Sequence, residues 1–264
     1  MRAMKSLGRW LLWLLLAGTA LQLFFIVRIA LMLVVDPQST AFMRSEVWRI
    51  AHTSLSTNKA WRWSAQWLNY EQISPQLKRA VMAAEDAGFA EHGGVDWSAI
   101  ETAWVRNEKR QTQTEKRVEQ IEKRLGHKPA AAEAALKKVK PAKIVGGSTI
   151  TQQLAKNLLL SGERNLLRKG QELVLTIALE TFLSKRRILE IYLNSVEWGE
   201  GIFGAEAAAQ RYFKKSAAQL SASEAARLAV MLPSPKFFEI RQNSAYLERR
   251  TGTILARMSG VSPP

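Results

Sequence analysis

The chain has 264 residues, and 47% of them are apolar, so it can bury a sizeable core and is not globally disordered. Its formal net charge of +15 indicates a polyanionic partner, a class that includes nucleic acid, anionic lipid and phosphorylated substrates. It contains no cysteine, which excludes disulfides, thiolate metal sites and a cysteine nucleophile.

An apolar segment at residues 10–35 predicts one transmembrane signal-anchor helix, because its length suffices to cross a hydrocarbon core of about 30 Å. Three basic residues precede it, so we expect residues 1–9 to be cytoplasmic and the bulk of the chain to lie outside. A cleaved signal peptide is the alternative, since residues 17–20 are small. A large extracytoplasmic domain argues against nucleic acid as the partner and favours anionic or phosphorylated lipid.

Residues 36–72 are interpreted as a tether close to the membrane. Four tryptophans occur in this segment, namely Trp48, Trp61, Trp63 and Trp67. Tryptophan favours membrane interfaces, so the segment could lie on the bilayer. Burial of the same rings in the domain core is an equally good interpretation.

Residues 73–258 predict one domain that is almost entirely helical, followed by a tail at residues 259–264. Apolar residues recur at helical spacing, and no stretch alternates as a strand would. We expect helices at residues 75–86, 148–160, 165–183, 185–194, 220–232 and 246–258. Capping signals precede three of them, at Ser74-Pro75, at Thr149 with Gln152, and at Ser221 with Glu224. The pair Gly93-Gly94 is expected to end the helix that starts at Pro75.

Residues 105–143 differ in composition from the rest of this domain. They hold 12 Lys and Arg against 5 Asp and Glu, and their apolar stripe is thin. We therefore expect a solvated helix or a mobile excursion, whose basic side chains could also contact anionic lipid.

Two acidic positions could carry chemistry. Glu85-Asp86 is flanked by small residues, which leave room for a ligand, and Glu172 follows Arg168 and Lys169 on one helix face. Transfer of a glycosyl group needs a carboxylate base, and it needs cations where a phosphate leaves. Helices also carry such ion pairs merely for surface stability, so the spacing alone is a weak signal.

Two further polar residues are better explained as structural. His92, beside two glycines, is typical of a hydrogen-bonding residue rather than a base. Ser148 lies in no G-x-S-x-G turn and is interpreted as a cap or a ligand-binding residue. No group of His, Asp and Glu has the spacing of a zinc site.

Five motifs in order resemble the peptidoglycan glycosyltransferase family, which comprises the transglycosylase domains of bifunctional penicillin-binding proteins and stand-alone monofunctional enzymes. The first is ED-x-x-F-x-x-H-x-G-x-D, from Glu85 to Asp96, and the second and most specific is GGSTITQQLAKN, from Gly146 to Asn157. The other three lie at residues 168–172, 185–194 and 224–235. No transpeptidase domain follows them, which is typical of the monofunctional type.

The resemblance implies a lysozyme-like, mainly α-helical domain with a small membrane-proximal lobe. It implies that Glu85 is the general base, which deprotonates the 4-hydroxyl of incoming lipid II, a disaccharide-pentapeptide on undecaprenyl pyrophosphate. That oxygen attacks the anomeric carbon of the lipid-linked growing glycan with inversion, and a β-1,4 bond forms. Glu172, the second catalytic residue, is expected to orient substrate or support the pyrophosphate site.

The resemblance also implies the residues that hold the substrate. Cations for the leaving pyrophosphate are Lys156, Arg164, Arg168 and Lys169, and the other substrate-binding residues are Asp86, Phe89, Ser148, Thr149, Gln152, Gln153 and Asn157. No cofactor is required, although a divalent cation, Mg²⁺ or Mn²⁺, could assist. Gln171 stands where some relatives carry a basic residue, so one cation is expected to be missing.

The expected location is the bacterial inner membrane, in a single pass with the catalytic domain in the periplasm. The expected partners are lipid II, the lipid-linked glycan, the membrane and proteins of cell division or elongation. Two other functions are weighed against polymerisation: a lysozyme-like enzyme that cleaves glycan, and a non-catalytic cell-wall scaffold. A hydrolase needs no cradle for pyrophosphate, and a scaffold needs neither glutamate.

Overall fold

The computed structural model describes residues 2–57, 60–125, 129–139, 146–160 and 166–264. These residues form two compact units, the first made of residues 1–95 and 149–264 and the second of residues 96–148. The helices of the first unit are α1 (Arg2–Leu31), α2 (Ala41–Thr57), α3 (Pro75–Glu85), α6 (Ile150–Leu159), α7 (Leu166–Phe182), α8 (Lys185–Ser195), α9 (Ala205–Phe213), α10 (Ala222–Met231), α11 (Pro235–Glu239) and α12 (Ala245–Arg257). The second unit contains α4 (Trp97–Leu125) and α5 (Pro129–Leu136). The predicted mainly α fold is confirmed.

Helix α1 contains the stretch Ser6–Leu31, which is long and apolar enough to cross a membrane. Its 26 residues correspond to about 39 Å of helix. The helix ends at Leu31, and residues 32–35, which the sequence placed in the same helix, form a turn. Arg187 explains this end, because its guanidinium donates hydrogen bonds to the carbonyl oxygens of Met32, at 2.8 Å, and Val35, at 3.2 Å.

The last turns of α1 belong to the core of the first unit. Ile29 is fully buried and Met32 is 4% exposed, and Phe25 packs against the same core. Helix α1, with its candidate membrane span, is therefore continuous with the folded unit.

The tether segment folds more than its sequence indicated, because it contains helix α2. Its tryptophans divide between the two interpretations. Trp48 and Trp61 are 78% and 51% exposed, as an interfacial residue would be, whereas Trp63 packs on Phe203 with ring centroids 4.8 Å apart and Trp67 packs against the core.

Helix α3 begins as predicted and ends earlier than predicted. Ser74 caps it by accepting a hydrogen bond from the Gln76 N–H, with Pro75 in the first turn. The prediction that Gly93-Gly94 ends this helix is wrong, since its last residue is Glu85. Asp86 leaves the helix because its carboxylate bonds a distant backbone N–H, as described below.

The core lies between two helical groups. In one, α3 packs against α10 and α12, and in the other α6 packs against α7 and α8. Both capping boxes predicted from sequence are present, Thr149 with Gln152 at α6 and Ser221 with Glu224 at α10. These two caps fix where α6 and α10 begin.

A small sheet follows α8, where the sequence showed only a cluster of glycines. Strands β1 (Ser64–Ala65), β2 (Glu197–Gly199) and β3 (Ile202–Phe203) are ordered β1-β3-β2, with β1 parallel and β2 antiparallel to β3. Gly201 makes the turn at φ +69°, where an added Cβ would lie 2.2 Å from the Arg62 carbonyl oxygen. The turn thereby fixes β2, which carries Glu197.

The second unit is exposed along most of its length. Helix α4 has Ala103 as its buried residue, and Trp97 and Trp104 are 71% and 72% exposed. The prediction of a solvated helix is confirmed for residues 105–125. Residues 126–128 and 140–143, which the same prediction included, lie outside the described residues.

Candidate active site

Glu85, at the end of α3, is held by a side chain of α6. The Gln153 amide donates a hydrogen bond of 2.8 Å to Glu85 Oε2, and the Gln153 carbonyl accepts one of 3.0 Å from the Tyr192 hydroxyl. Tyr192 lies on α8, so three helices fix the position of this carboxylate. The first two motifs thus meet at Glu85 and Gln153.

The electrostatic surroundings of Glu85 suit a general base. Burial raises the pKa of its carboxyl above the ordinary value, and the nearby charge of Asp86 adds to the rise. The hydrogen bond from Gln153 and the positive charges of Arg250 and Lys156 act in the opposite direction. A carboxylate with a raised pKa is a stronger base, which helps it remove a proton from a hydroxyl.

Both carboxylate oxygens of Asp86 make contacts within the fold. Its side chain is 2% exposed, Oδ1 lies 2.8 Å from His92 Nε2, and Oδ2 accepts a hydrogen bond of 3.0 Å from the Ile150 N–H. That N–H opens α6, where a negative charge also stabilises the helix dipole. Asp86 was predicted to bind substrate, but both of its oxygens hold the first motif against the second.

His92 is a hydrogen-bonding residue, as expected. Its Nδ1 accepts a hydrogen bond of 3.2 Å from the Gly94 N–H. The ring proton is therefore on Nε2, which donates a hydrogen bond to Asp86. Both ring nitrogens are therefore used within the turn.

Three more predicted substrate-binding residues are buried in the fold. Phe89 is 0% exposed, with the Lys185 ammonium 4.5 Å from its ring centroid. Thr149 is 2% exposed and donates to the Gly94 carbonyl at 2.6 Å, and Gln152, 6% exposed, accepts from the Thr149 N–H at 3.1 Å. Burial leaves these three side chains little surface for contact with a substrate.

A cavity of about 340 Å³ is lined by four of the predicted residues. Gln153, Lys156 and Asn157 come from α6 and Arg168 comes from α7. The full lining is Phe42, Gln153, Lys156, Asn157, Leu160, Arg168, Val196, Glu197, Leu232 and Pro235. Two cations beside five apolar residues suit a ligand that has a phosphate end and a sugar or lipid part.

Glu172 lies on α7, is 4% exposed and is not among the residues that line the cavity. Arg168 Nη1 lies 3.5 Å from one of its oxygens, and the Lys169 ammonium contacts the other. The predicted grouping of these three residues is confirmed. Both oxygens of Glu172 therefore contact cations of its own helix, one of which, Arg168, lines the cavity.

Gln171, where a further cation was expected to be missing, pairs with a side chain of helix α1. Its side-chain amide and that of Gln22 exchange two hydrogen bonds, of 2.7 and 3.0 Å. The exchange satisfies both amides within an apolar contact and joins α1 to the helix that carries Glu172.

Neither Glu85 nor Lys169 is among the residues that line the cavity, and two further predicted residues, Ser148 and Arg164, remain. Ser148 is exposed and belongs to the second unit. Arg164 lies outside the described residues, as does the segment 161–165 around it.

Glu197 was not predicted, because a single acid in a glycine-rich stretch carries no local signal. It is 6% exposed and lines the cavity, and it lies with Glu46 and Glu200 in a group whose ligand atoms are within 4.8 Å of one another. The Lys236 ammonium lies 2.5, 3.3 and 3.4 Å from Glu46, Glu200 and Glu197. The Lys236 ammonium is therefore within ion-pair distance of all three carboxyls.

Sequence comparison shows that the chain belongs to a family of peptidoglycan-synthesising enzymes. A family model described as "Transglycosylase" matches residues 53–116 and 127–259. The chain is 45% identical over 266 residues to the "Biosynthetic peptidoglycan transglycosylase" of Herminiimonas arsenicoxydans, covering 99% of this chain and 100% of that protein. Proteins with the same name from Burkholderia pseudomallei (45% identity, 98% and 90% covered) and Bordetella avium (47%, 87% and 83%) are similarly close.

Proposed function

Because the chain belongs to the transglycosylase family and is a peptidoglycan glycosyltransferase, we propose that it polymerises lipid II into β-1,4-linked glycan strands with inversion of configuration. Undecaprenyl pyrophosphate is the leaving group of this reaction. The observation that carries the proposal is the arrangement of α6, which holds the base Glu85 through Gln153 and presents Lys156 in the same cavity as Arg168.

The reaction follows from these two functions of α6. Glu85 takes the proton from the 4-hydroxyl of lipid II as that oxygen bonds to the anomeric carbon of the growing chain. The bond from that carbon to the pyrophosphate oxygen breaks at the same time, and negative charge develops on the pyrophosphate. Lys156 and Arg168 stabilise that charge, so the leaving group departs without being protonated.

The membrane helix supports the proposed location at the bacterial inner membrane. With three basic residues before the apolar stretch, the N-terminus is cytoplasmic and the catalytic unit is periplasmic. Helix α7 has exposed apolar side chains at Leu167, Val174 and Ile177, and α1 packs against the same helix. This surface suits contact with the bilayer that holds the substrate's lipid tail.

Incubation of the purified full-length protein with fluorescent lipid II tests the proposal. We expect polymer from the wild-type protein, and a loss of at least about 100-fold in Glu85→Gln, because removal of a general base costs roughly that factor or more. Lipid II binding should survive in this variant. Glu91→Gln, at an exposed acid on the turn that follows α3, is the matched control and should retain activity.

The two alternatives predict other products. Cleavage of preformed glycan without polymer formation would favour a lytic enzyme, and binding of lipid II without any turnover would favour a scaffold. Near-normal polymerisation by Glu85→Gln would remove this residue from the role of base.

A further inference from the structure

One residue that lines the cavity carries a carboxyl that the proposed polymerisation mechanism does not use. Glu197 is 6% exposed and lines the cavity together with Lys156 and Arg168. Its Oε1 atom is fully buried and accepts no hydrogen bond from the residues that the structure describes. The Lys236 ammonium, at 3.4 Å, is at ion-pair distance but too far for a strong hydrogen bond.

We propose that Glu197 is an additional substrate-recognition residue, which must be uncharged for the cavity to admit the pyrophosphate-linked sugar of lipid II. The inference rests on the proposed function, since that function defines the anionic ligand. A carboxylate in the wall would repel a pyrophosphate held by Lys156 and Arg168, whereas a neutral carboxyl would not and can also donate a hydrogen bond to a sugar oxygen.

The surroundings of Glu197 keep its carboxyl neutral over a useful range of pH. Burial is the main cause that raises its pKa to about 7, and the negative charge of Glu46 adds to the rise. Lys236 and the Gly201 backbone N–H act in the opposite direction. The charged and titratable groups that face it are Glu46, Glu200, Tyr212 and Lys236, with Lys156 and Arg168 in the cavity.

The charges of neighbouring residues explain why Glu197 ionises last within its group. Lys236 lies closer to Glu46, at 2.5 Å, than to Glu197, and Arg49 bonds both Glu46 and Glu200, at 2.6 and 2.5 Å. The two cations therefore neutralise Glu46 and Glu200 first. Ionisation of Glu197 would leave one net negative charge beside the cavity.

Binding of lipid II as a function of pH tests the inference in a form that cannot turn over. The background is Glu85→Gln, which also removes the titration of Glu85. Above pH 7 we expect the Kd for lipid II to rise about tenfold in this protein, the size expected when one like charge forms near the ligand. The Kd should stay constant in the Glu85→Gln, Glu197→Gln double variant, because its amide is uncharged at every pH.

The matched control is Glu85→Gln, Glu200→Gln, which neutralises an acid of the same group that does not line the cavity. It should keep the rise in Kd above pH 7. The inference is overturned if the Glu197 double variant shows the same rise as its parent, or if the Kd of the parent does not change with pH. Failure of the wild-type protein to polymerise lipid II would instead overturn the proposed function, so the two failures are separate.

Discussion

Asp86→Asn separates a structural role for this residue from a role in substrate binding. The wild-type carboxylate is 2% exposed and makes two charge-assisted hydrogen bonds, to His92 and to the Ile150 N–H. A hydrogen bond to a charged group contributes about 1.5–3 kcal/mol. An asparagine can still accept one bond but carries no charge, so we expect the free energy of unfolding to fall by about 3 kcal/mol.

Thermal unfolding of the purified protein in detergent, followed by circular dichroism, measures this loss. For a unit of this size, each kcal/mol corresponds to about 2–4 °C in Tm, so a fall of roughly 6–12 °C is expected. Glu91→Gln removes an exposed carboxylate from the same turn and should leave Tm unchanged. A normal Tm in Asp86→Asn combined with weaker binding of lipid II would refute the structural role and restore the one first predicted from sequence.

Two other variants test the packing and the titration of the fold. Leu154→Ala removes a fully buried side chain of α6 and should cost about 3 kcal/mol in urea unfolding, whereas Leu167→Ala, at an 88% exposed position, should cost little; equal losses would contradict the described core. Glu197→Gln should raise stability at pH 8 by up to about 3 kcal/mol but change it little at pH 5. The Glu197 carboxyl has a pKa of about 7 in the folded protein against an ordinary 4.5, so the stability of the wild-type protein falls as pH rises from 4.5 to 7. A Tm difference between variant and wild type that does not depend on pH would contradict this assignment.

Local sequence patterns were enough to predict most of the helices. The caps at Ser74, Thr149 and Ser221 involve partners only two or three residues away, so the bonds that fix these helix starts are visible in the sequence itself. The motif around Glu85 and the grouping of Arg168 with Glu172 are local in the same sense. The distance between Arg168 and Glu172 follows from their i, i+4 spacing on one helix.

Long-range contacts decided what the sequence could not reveal. The end of α3 depends on the bond from Asp86 to Ile150, 64 residues away, whereas the glycines that suggested a later end are local. Gln171 finds its partner Gln22 at a separation of 149 residues. Glu197 has a raised pKa only because packing buries it beside Glu46. Burial and distant partners of this kind carry no signature in a short window of sequence.

The continuity of α1 with the folded unit bears on how shortened forms of the chain should be made. A form that starts after residue 35 would lose Ile29 and Met32 from the interior and leave the Gln171 amide without Gln22. The vacated space and the bare side of α7 would favour self-association in water. A soluble fragment therefore has to begin before Gln22. A shorter fragment needs polar substitutions on the surface that Gln22, Ile29 and Met32 now cover.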